Sequence, residues 1–276
     1  MSSTLDTPQR MLKARGLRPK SSFGQNFLAD EGLLKHMVAL AELEPQEAVV
    51  ELGAGLGHFS YHLLEAGVEL WAVEKDRDMA QVLREHGWPR LHVVEENAVK
   101  AVFALLTSKP EGKVVGNLPY HLSAPLLFSV LGQASFVRSA TFTLQREVVE
   151  RLVAAPGNRA YGLLSVLLGH KFALENALHI PARCFFPAPK VDSCVLRMRR
   201  LPTPRGAVKN EARFVRLVKA AFSRRRKTLA NALKSDMALF AQHSIVQSLE
   251  EAGIEPGRRA ETVSPEEFAR LEMALG

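Results

Sequence analysis

The chain has 276 residues, 47% of them hydrophobic, which is enough for one large α/β domain and a smaller second domain and excludes a globally disordered protein. Lysine and arginine outnumber aspartate and glutamate by 36 to 29, which gives a net charge of +7. A basic balance of this size indicates a polyanionic partner but does not identify it, and a protein can also be merely basic.

Helices and strands alternate along the first part of the chain. Apolar residues at helical spacing predict a first helix over 30–44, with Asp30 as its N-cap. The predicted strands are 48–52, 69–73, 91–95, 113–116 and 139–144, and the predicted helices between and after them are 58–66, 76–86, 99–107, 125–131 and 147–155. This βαβα order predicts a doubly wound parallel sheet of Rossmann-like α/β type. Segments 173–179 and 194–199 are predicted to add a final, antiparallel strand pair.

A change of composition predicts a second domain. Residues 201–206, LPTPRG, form a linker-like stretch with two prolines and a glycine. Beyond it the pattern is helical over 211–222, 226–234, 238–251 and 265–275. We therefore predict an α/β domain with a basic N-terminal arm over 1–204 and a small all-helical domain over 205–276.

The first predicted strand runs into a glycine loop, VVELGAGLG. Glycines there let the backbone turn sharply and let a ligand approach without a Cβ in the way. The GxGxxG fingerprint of dinucleotide enzymes fails, because residue 58 is a histidine. The GxGxG form of Gly53, Gly55 and Gly57, with Glu51 two residues before it, resembles the first motif of Rossmann-like methyltransferases.

The second predicted strand leads into Glu74, about 20 residues after the glycine loop. A carboxylate at this position can accept hydrogen bonds from both hydroxyls of a ribose. NAD and S-adenosylmethionine share that ribose, so Glu74 does not separate the two cofactors. The plainer interpretation is an exposed carboxylate paired with Lys75.

Asn117, Leu118, Pro119 and Tyr120 follow the fourth predicted strand in the sequence VVGNLPY. The segment resembles the (Asn/Asp)-Pro-Pro-Tyr-type motif of methyltransferases that act on an amine of adenine or cytosine. The Asn117 side-chain oxygen and the Leu118 carbonyl could each accept one N–H of that amine and orient its nitrogen. Pro119 fixes φ and so holds the carbonyl, and Tyr120 can stack on a flipped base. A plain turn also uses Asn-x-Pro, but the placement after the fourth strand favours a site.

Further segments are similar to one family, the ribosomal RNA adenine dimethyltransferases, and the similarity covers almost the whole chain. FGQNFL at 23–28 resembles the family's N-terminal cofactor motif, QREVVER at 145–151 is similar to its segment after the fifth strand, and FFPAPKVDS at 185–193 fits FxPxPxVxS. By this resemblance Phe185 packs on the target base from the face opposite Tyr120. The resemblance implies S-adenosylmethionine as cofactor, bound by Asn26, Leu28, Gly53, Gly55, Glu74, Asn97 and Asn117.

Asn97 departs from the family pattern. The third strand leads into Glu95-Glu96-Asn97-Ala98, where the family usually has Gly-Asp-Ala. The family aspartate accepts a hydrogen bond from the cofactor's adenine amine, and the Asn97 oxygen can still accept it without the charge. Glu96 could substitute for that carboxylate.

Two C-terminal segments, AFSRRRKTLANAL and RAETVSPEEFARL, are similar to the branch of the family that acts on the small subunit. The implied substrate is the 3′-terminal hairpin of 16S rRNA, with two adjacent adenosines each dimethylated at N6, in the small ribosomal subunit or its late precursor. A densely basic stretch is predicted to contact RNA phosphates, although a solvated helix face is the plainer interpretation of a charge run. Its members are Arg224, Arg225, Arg226 and Lys227.

The remaining features indicate a plain intracellular protein. Cys184 and Cys194 belong to no CxxC or Cys/His cluster, so we expect neither a metal site nor a disulfide. The N-terminus carries no apolar signal region, and the apolar runs fall short of the ~20 residues that span a bilayer. We expect a cytoplasmic monomer without a membrane partner.

Three alternatives stay open at this point. A large-subunit rRNA methyltransferase shares NLPY and the proline motif, and AFSRRRKTLANAL argues against it. A non-catalytic assembly or transcription factor with a vestigial pocket is favoured only by Asn97. An NAD enzyme is disfavoured by the failed GxGxxG and by the absence of a hydride-transfer constellation.

Overall fold

The computed structural model describes residues 5–101, 103, 111–240 and 244–275. The chain forms two compact units, Met1–Val149 with Glu175–Arg200, and Glu150–Leu174 with Leu201–Gly276. The predicted division between residues 204 and 205 lies near the last of the three boundaries, which follows Arg200. Residues 150–174, which the prediction placed in the first domain, cluster instead with the C-terminal unit.

The first unit contains the sheet. Its strands are β1 (Phe27–Leu28), β2 (Ala48–Leu52), β3 (Glu69–Glu74), β4 (Leu91–Glu95), β5 (Gly112–Asn117), β6 (Val137–Gln145), β7 (Phe172–Ile180, which begins in the other unit), β8 (Phe185–Phe186) and β9 (Ser193–Arg200). Its helices are α1 (Pro8–Ala14), α2 (Glu31–Leu40), α3 (His58–Glu65), α4 (Arg77–Glu85), α5 (Ser123–Gly132) and the first half of α6 (Arg146–Val153). The predicted helix 99–107 lies mostly outside the described residues.

Seven strands form the main sheet in the order β4-β3-β2-β5-β6-β9-β7. Strands β2 to β6 pair in parallel, and β9 runs antiparallel to β6. The five residues of β2 are all buried, as expected for a central parallel strand covered on both faces. The order reverses between β2 and β5, and ligands of open α/β sheets bind at such a switch point, beyond the carboxyl ends of the strands.

A second, two-stranded sheet was not predicted. β1 pairs antiparallel with β8, with Phe27 opposite Phe186 and Leu28 opposite Phe185. This pairing joins the N-terminal cofactor motif to the FxPxPxVxS segment, and the paired residues lie about 158 positions apart in the sequence. Each strand is only two residues long, so local sequence carries almost no strand signal.

The second unit is helical and comprises the end of α6, α7 (Leu163–Lys171), α8 (Glu211–Phe222), α9 (Leu229–Leu233), α10 (Ile245–Glu251) and α11 (Pro265–Ala274). The predicted helix 226–234 begins only at Leu229, because residues 223–227 form a turn and Thr228 is the N-cap. Helix α7 was not predicted; it packs against α8 and α11, which explains why this segment clusters with the C-terminal unit.

Within the described ranges, the structure contains no helix that is both long enough and apolar enough to cross a bilayer.

Candidate cofactor and base site

Three glycines shape the loop after β2. Gly53, Gly55 and Gly57 all have positive φ, at 74°, 57° and 89°, a region that side chains with a Cβ rarely adopt. A Cβ on Gly55 would also lie 3.0 Å from the ring of Phe27. Two independent constraints, backbone conformation and close packing, therefore require glycine at position 55.

Glu74 holds the glycine loop from the end of β3. Its Oε2 accepts the N–H of Gly55 at 2.8 Å, and its Oε1 accepts the N–H of Asp76 at 2.8 Å. The side chain is 8% exposed, and this burial raises the pKa of the Glu74 carboxyl although the two backbone N–H groups oppose the shift. The interpretation of Glu74 as an exposed partner of Lys75 is wrong, since the carboxyl group lies in the pocket wall.

Glu51 is a second buried carboxyl group in the same pocket. It is 1% exposed and accepts a hydrogen bond of 2.5 Å from the hydroxyl of Ser60 on α3. Burial raises the pKa of Glu51 to about 8, against the effect of the Ser60 hydrogen bond. The group therefore retains its proton at neutral pH in the folded protein.

We expect Glu51→Gln to flatten the pH dependence of stability. The folded state holds a proton that the unfolded chain releases above pH 4.5, so stability falls as pH rises from 4.5 to about 8. The slope from one such group is at most about 1.4 kcal/mol per pH unit. Urea unfolding followed by tryptophan fluorescence reports on the first unit, because both tryptophans, Trp71 and Trp88, lie there. Equal slopes in the variant and the parent protein would contradict the prediction.

Asn117 ends β5 with its amide in a fixed orientation. Its Nδ2 donates to the backbone carbonyl of Asn26 at 2.8 Å. In the described part of the chain no group donates to Asn117 Oδ1, so this oxygen remains available as an acceptor. Pro119 has φ −59°, as expected for its ring, and stands at the start of a short 3-10 turn over Tyr120–Leu122.

Tyr120 is anchored at its hydroxyl end. Its hydroxyl forms a 2.6 Å hydrogen bond with Ser193 Oγ at the start of β9, and Ser193 is fully buried. Desolvation by burial raises the pKa of the Tyr120 phenol, so it stays protonated throughout the physiological range. The sequence motifs NLPY and FxPxPxVxS are thus joined through their last residues.

The segment before β1 is tied to the turn after β3, which sequence analysis missed. Lys20 Nζ lies 2.6 Å from Asp76 Oδ1 and 2.7 Å from Asp78 Oδ2, and Gln25 donates to the other oxygen of Asp76 at 2.7 Å. Asp76 is 1% exposed and was identified in the sequence only as the start of a helix. No local pattern could reveal these contacts, because their partners lie between 51 and 58 residues apart in the sequence.

A single pocket brings together ten of the eleven residues predicted for the cofactor and the base. Residues that were not predicted, including Phe23, Phe27 and Phe59, add apolar wall to it. What each residue contacts stays a prediction. The ten are Asn26, Leu28, Gly53, Gly55, Glu74, Asn97, Asn117, Leu118, Pro119 and Tyr120.

Phe185 is the exception. It is 4% exposed and packs in the hydrophobic core with Leu28 and Leu34, both of which do line the pocket. The structure therefore places Phe185 directly behind the pocket wall and not on its surface. To stack on a base, as the resemblance implies, this ring would first have to be uncovered.

Asn97 lies in the pocket with one side-chain atom engaged. Its Oδ1 accepts the N–H of Val99 at 3.0 Å, which is the usual bond of an Asx turn, and leaves one lone pair on that oxygen. Glu96, the proposed substitute, does not line the pocket, and its carboxylate accepts the N–H of Asn97 at 2.6 Å.

The order of the groups in the pocket is the order that S-adenosylmethionine would need, and which part of it each residue binds stays a prediction. Along the sheet edge β4-β3-β2-β5, the residues presented are Asn97, Glu74, the glycine loop and Asn117. Three strand spacings separate the ends, which is roughly 14 Å. Adenine, ribose and the methyl-bearing part of the molecule follow one another in the same order.

Among the described residues there is no group of three His, Cys, Asp or Glu side chains that could hold a metal ion.

The predicted RNA-contacting residues lie in the second unit. Arg224, Arg225, Arg226 and Lys227 form the exposed turn between α8 and α9, which we call the basic turn. They do not form a helix face, since residues 223–226 are hydrogen-bonded turn and 227 a bend, and their contact with RNA stays a prediction.

A protein-family model described as ribosomal RNA adenine dimethylase matches residues 16–275 of this chain. A protein of Myxococcus xanthus, the ribosomal RNA small subunit methyltransferase A, is 52% identical over 99% of this chain and 96% of its own length. The corresponding protein of Syntrophotalea carbinolica is 41% identical over 94% of this chain and 97% of its own length.

Solved structures show the same fold. The 23S rRNA methyltransferase ErmE is 26% identical, with a TM-score of 0.69 over 91% of this chain and 99% of that one. A dimethyladenosine transferase from Plasmodium falciparum is 22% identical, with a TM-score of 0.75 over 89% of this chain and 95% of that one, and is similar in fold.

Proposed function

This chain belongs to the ribosomal RNA adenine dimethylase family, and we propose that it dimethylates N6 of two adjacent adenosines in the 3′-terminal hairpin of 16S rRNA. The observation that carries the proposal is the orientation of Asn117. Its amide nitrogen donates to the Asn26 carbonyl, which leaves the oxygen of this pocket-lining residue as an acceptor for an exocyclic amine. As a member of this family, the chain is an rRNA adenine dimethyltransferase.

Each residue of the proposed base site has a separate role in the reaction. Bound S-adenosylmethionine would supply an electrophilic methyl group on a positively charged sulfonium, which leaves as a neutral thioether. Asn117 Oδ1 and the Leu118 carbonyl accept the two N–H groups of the adenine amine, which points its lone pair at the methyl group. Tyr120, fixed by Ser193, offers an aromatic face to the extruded base. The released proton needs no strong general base, because the positive charge that develops is shared with the base ring.

The small subunit is the proposed acceptor. Both relatives compared above that are more than 40% identical carry the name ribosomal RNA small subunit methyltransferase A, whereas ErmE, named for 23S rRNA, is only 26% identical. The C-terminal unit carries the basic turn, which suits contact with RNA phosphates. We infer further that the protein acts as a cytoplasmic monomer on a nearly assembled subunit.

Acceptor preference tests the proposal. Labelled methyl transfer should be measured from S-adenosylmethionine to small subunits that lack the modification, to large subunits, and to deproteinised 16S rRNA. We expect transfer to small subunits and at least tenfold less to the other two. Transfer to large-subunit RNA alone would favour the alternative of a large-subunit rRNA methyltransferase. Tight RNA binding without transfer to any acceptor would favour the non-catalytic factor, and Asn97→Asp would then be the first reversion to make.

We expect the triple change Arg224→Glu, Arg225→Glu and Arg226→Glu to weaken small-subunit binding and flatten its salt dependence. Each lost phosphate contact lowers the slope of log affinity against log salt by about 0.7–0.9. Binding should be measured by filter retention or fluorescence anisotropy between 50 and 200 mM salt. An unchanged slope would remove the basic turn from the interface.

A further inference from the structure

A second loop of the C-terminal unit is joined to the basic turn. Arg225 donates through Nη2 to the backbone carbonyl of Arg159 at 2.7 Å. Arg159 lies in the connection between α6 and α7, where residues 155–161 read APGNRAY. Neither the motifs nor the pocket geometry assigns a role to this connection, which we call the 155–161 loop.

Backbone bonds fix the 155–161 loop at both sides of Arg159. The N–H of Gly157 donates to the carbonyl of Glu261 at 2.8 Å. The hydroxyl of Tyr161, whose ring is 2% exposed, donates to the carbonyl of Val263 at 3.1 Å. These hydrogen bonds use main-chain atoms and a buried tyrosine. The exposed side chain of Arg159 takes no part in them and stays available for another contact.

The cationic side chains of the basic turn and of the 155–161 loop differ in their contacts. Arg225 is committed to the 155–161 loop and also lies 3.9 Å from the carboxylate of Glu261. The other cations are exposed, and in the described ranges none of them has an acidic partner within 4.0 Å. They are Arg159, Arg224, Arg226 and Lys227. Such a set of unpaired cations on fixed backbone suits the regularly spaced phosphates of a nucleic acid strand.

We propose that Arg159 contacts a phosphate of the RNA substrate together with the basic turn, and that Arg225 is a positioning residue that holds the 155–161 loop in place for it. This inference rests on the proposed function, because it assumes that the polyanion is the rRNA of the small subunit. It extends the RNA-binding surface from one segment to two and gives Arg225 a role different from that of its neighbours.

The test is the salt dependence of small-subunit binding by Arg159→Gln. The exposed side chain can be replaced without touching the carbonyl that Arg225 binds, so the fold should be preserved. The slope of log affinity against log salt should fall by about 0.7–0.9, the amount for one phosphate contact. Lys209→Gln is the matched control: it removes one exposed positive charge just before α8, a helix of 12 residues and thus about 18 Å from the basic turn at its other end. Its slope should equal that of the parent protein.

The positioning role of Arg225 has its own readout. If Arg225→Gln acts partly by releasing Arg159, its loss of affinity should be smaller in the Arg159→Gln background than in the parent protein. Strict additivity of the two changes would overturn this role.

Two outcomes separate this inference from the proposed function. An unchanged slope in Arg159→Gln, while the triple glutamate variant of the basic turn shows its reduced slope, would overturn the Arg159 contact and leave the proposed function standing. A parent protein that neither binds nor methylates small subunits would overturn the proposed function itself.

Discussion

Asn117→Ala is expected to abolish methyl transfer, with a loss of at least 10²–10³-fold in kcat, the range for removing one positioned hydrogen-bonding group from a reaction centre. The reason is that Asn117 Oδ1 is the side-chain acceptor that remains available after Nδ2 has donated to Asn26. Cofactor affinity should fall far less than kcat, since Glu74 and the glycine loop are untouched and Asn117 is one of seven residues predicted to bind the cofactor. Single-turnover methyl transfer and equilibrium cofactor titration measure the two quantities separately.

Two further variants make this experiment specific. Asn117→Asp keeps an acceptor oxygen but replaces the donor to Asn26, so we expect activity between that of Asn117→Ala and that of the parent protein. His121→Ala is the matched control, because His121 follows the same motif and lies beside Gly24 but does not line the pocket; its activity should change only a few-fold. Near-normal turnover by Asn117→Ala would remove Asn117 from the reaction.

Glu74→Gln is expected to weaken cofactor binding roughly 10–100-fold. Both carboxylate oxygens accept backbone N–H groups, from Gly55 and from Asp76. An amide can offer only one oxygen, so its NH₂ group would face one of those donors, and a hydrogen bond to a charged group is worth about 1.5–3 kcal/mol. The loss should appear in the cofactor dissociation constant, measured by calorimetry, and in KM for the cofactor more than in kcat.

Glu95→Gln is the control for Glu74→Gln. Glu95 lies opposite Glu74 in the register of β3 and β4, but it is exposed and bonds Arg77 and Arg84 outside the pocket. The same charge is removed at the same edge of the sheet, so cofactor affinity should remain unchanged. Equal losses of cofactor affinity in the two variants would mean that net charge governs binding, and not the hydrogen bond between Gly55 and Glu74.

The elements that sequence could predict are those whose signal is local. The strand 48–52 was predicted at the bounds it has in the structure, because a central parallel strand is a short apolar run bounded by turn residues. Helix 211–222 likewise matched, since its apolar residues recur on one face. The sheet class followed from the order of such elements, and the pocket followed from placing motif residues at the carboxyl ends of neighbouring strands.

The elements that sequence missed depend on contacts between distant residues. Helix α7 is buried on most of its surface, from Ser165 to His170, so it shows no one-sided apolar pattern. The ties of Lys20 and Gln25 to Asp76 and the pairing of β1 with β8 join residues more than 50 positions apart. The burial of Phe185 follows from that pairing, and a motif match alone cannot tell a pocket surface from the layer behind it.

The most direct test of the proposed reaction is the identity and position of the product nucleoside. Small subunits that lack the modification should be incubated with labelled S-adenosylmethionine and the protein, and the 16S rRNA should then be digested and mapped, with Asn117→Ala as the parallel control. We expect N6,N6-dimethyladenosine at two adjacent positions of the 3′-terminal hairpin, absent from the control. Label on any other base or atom, or equal label with the control variant, would contradict the assignment of this pocket to adenine N6 dimethylation.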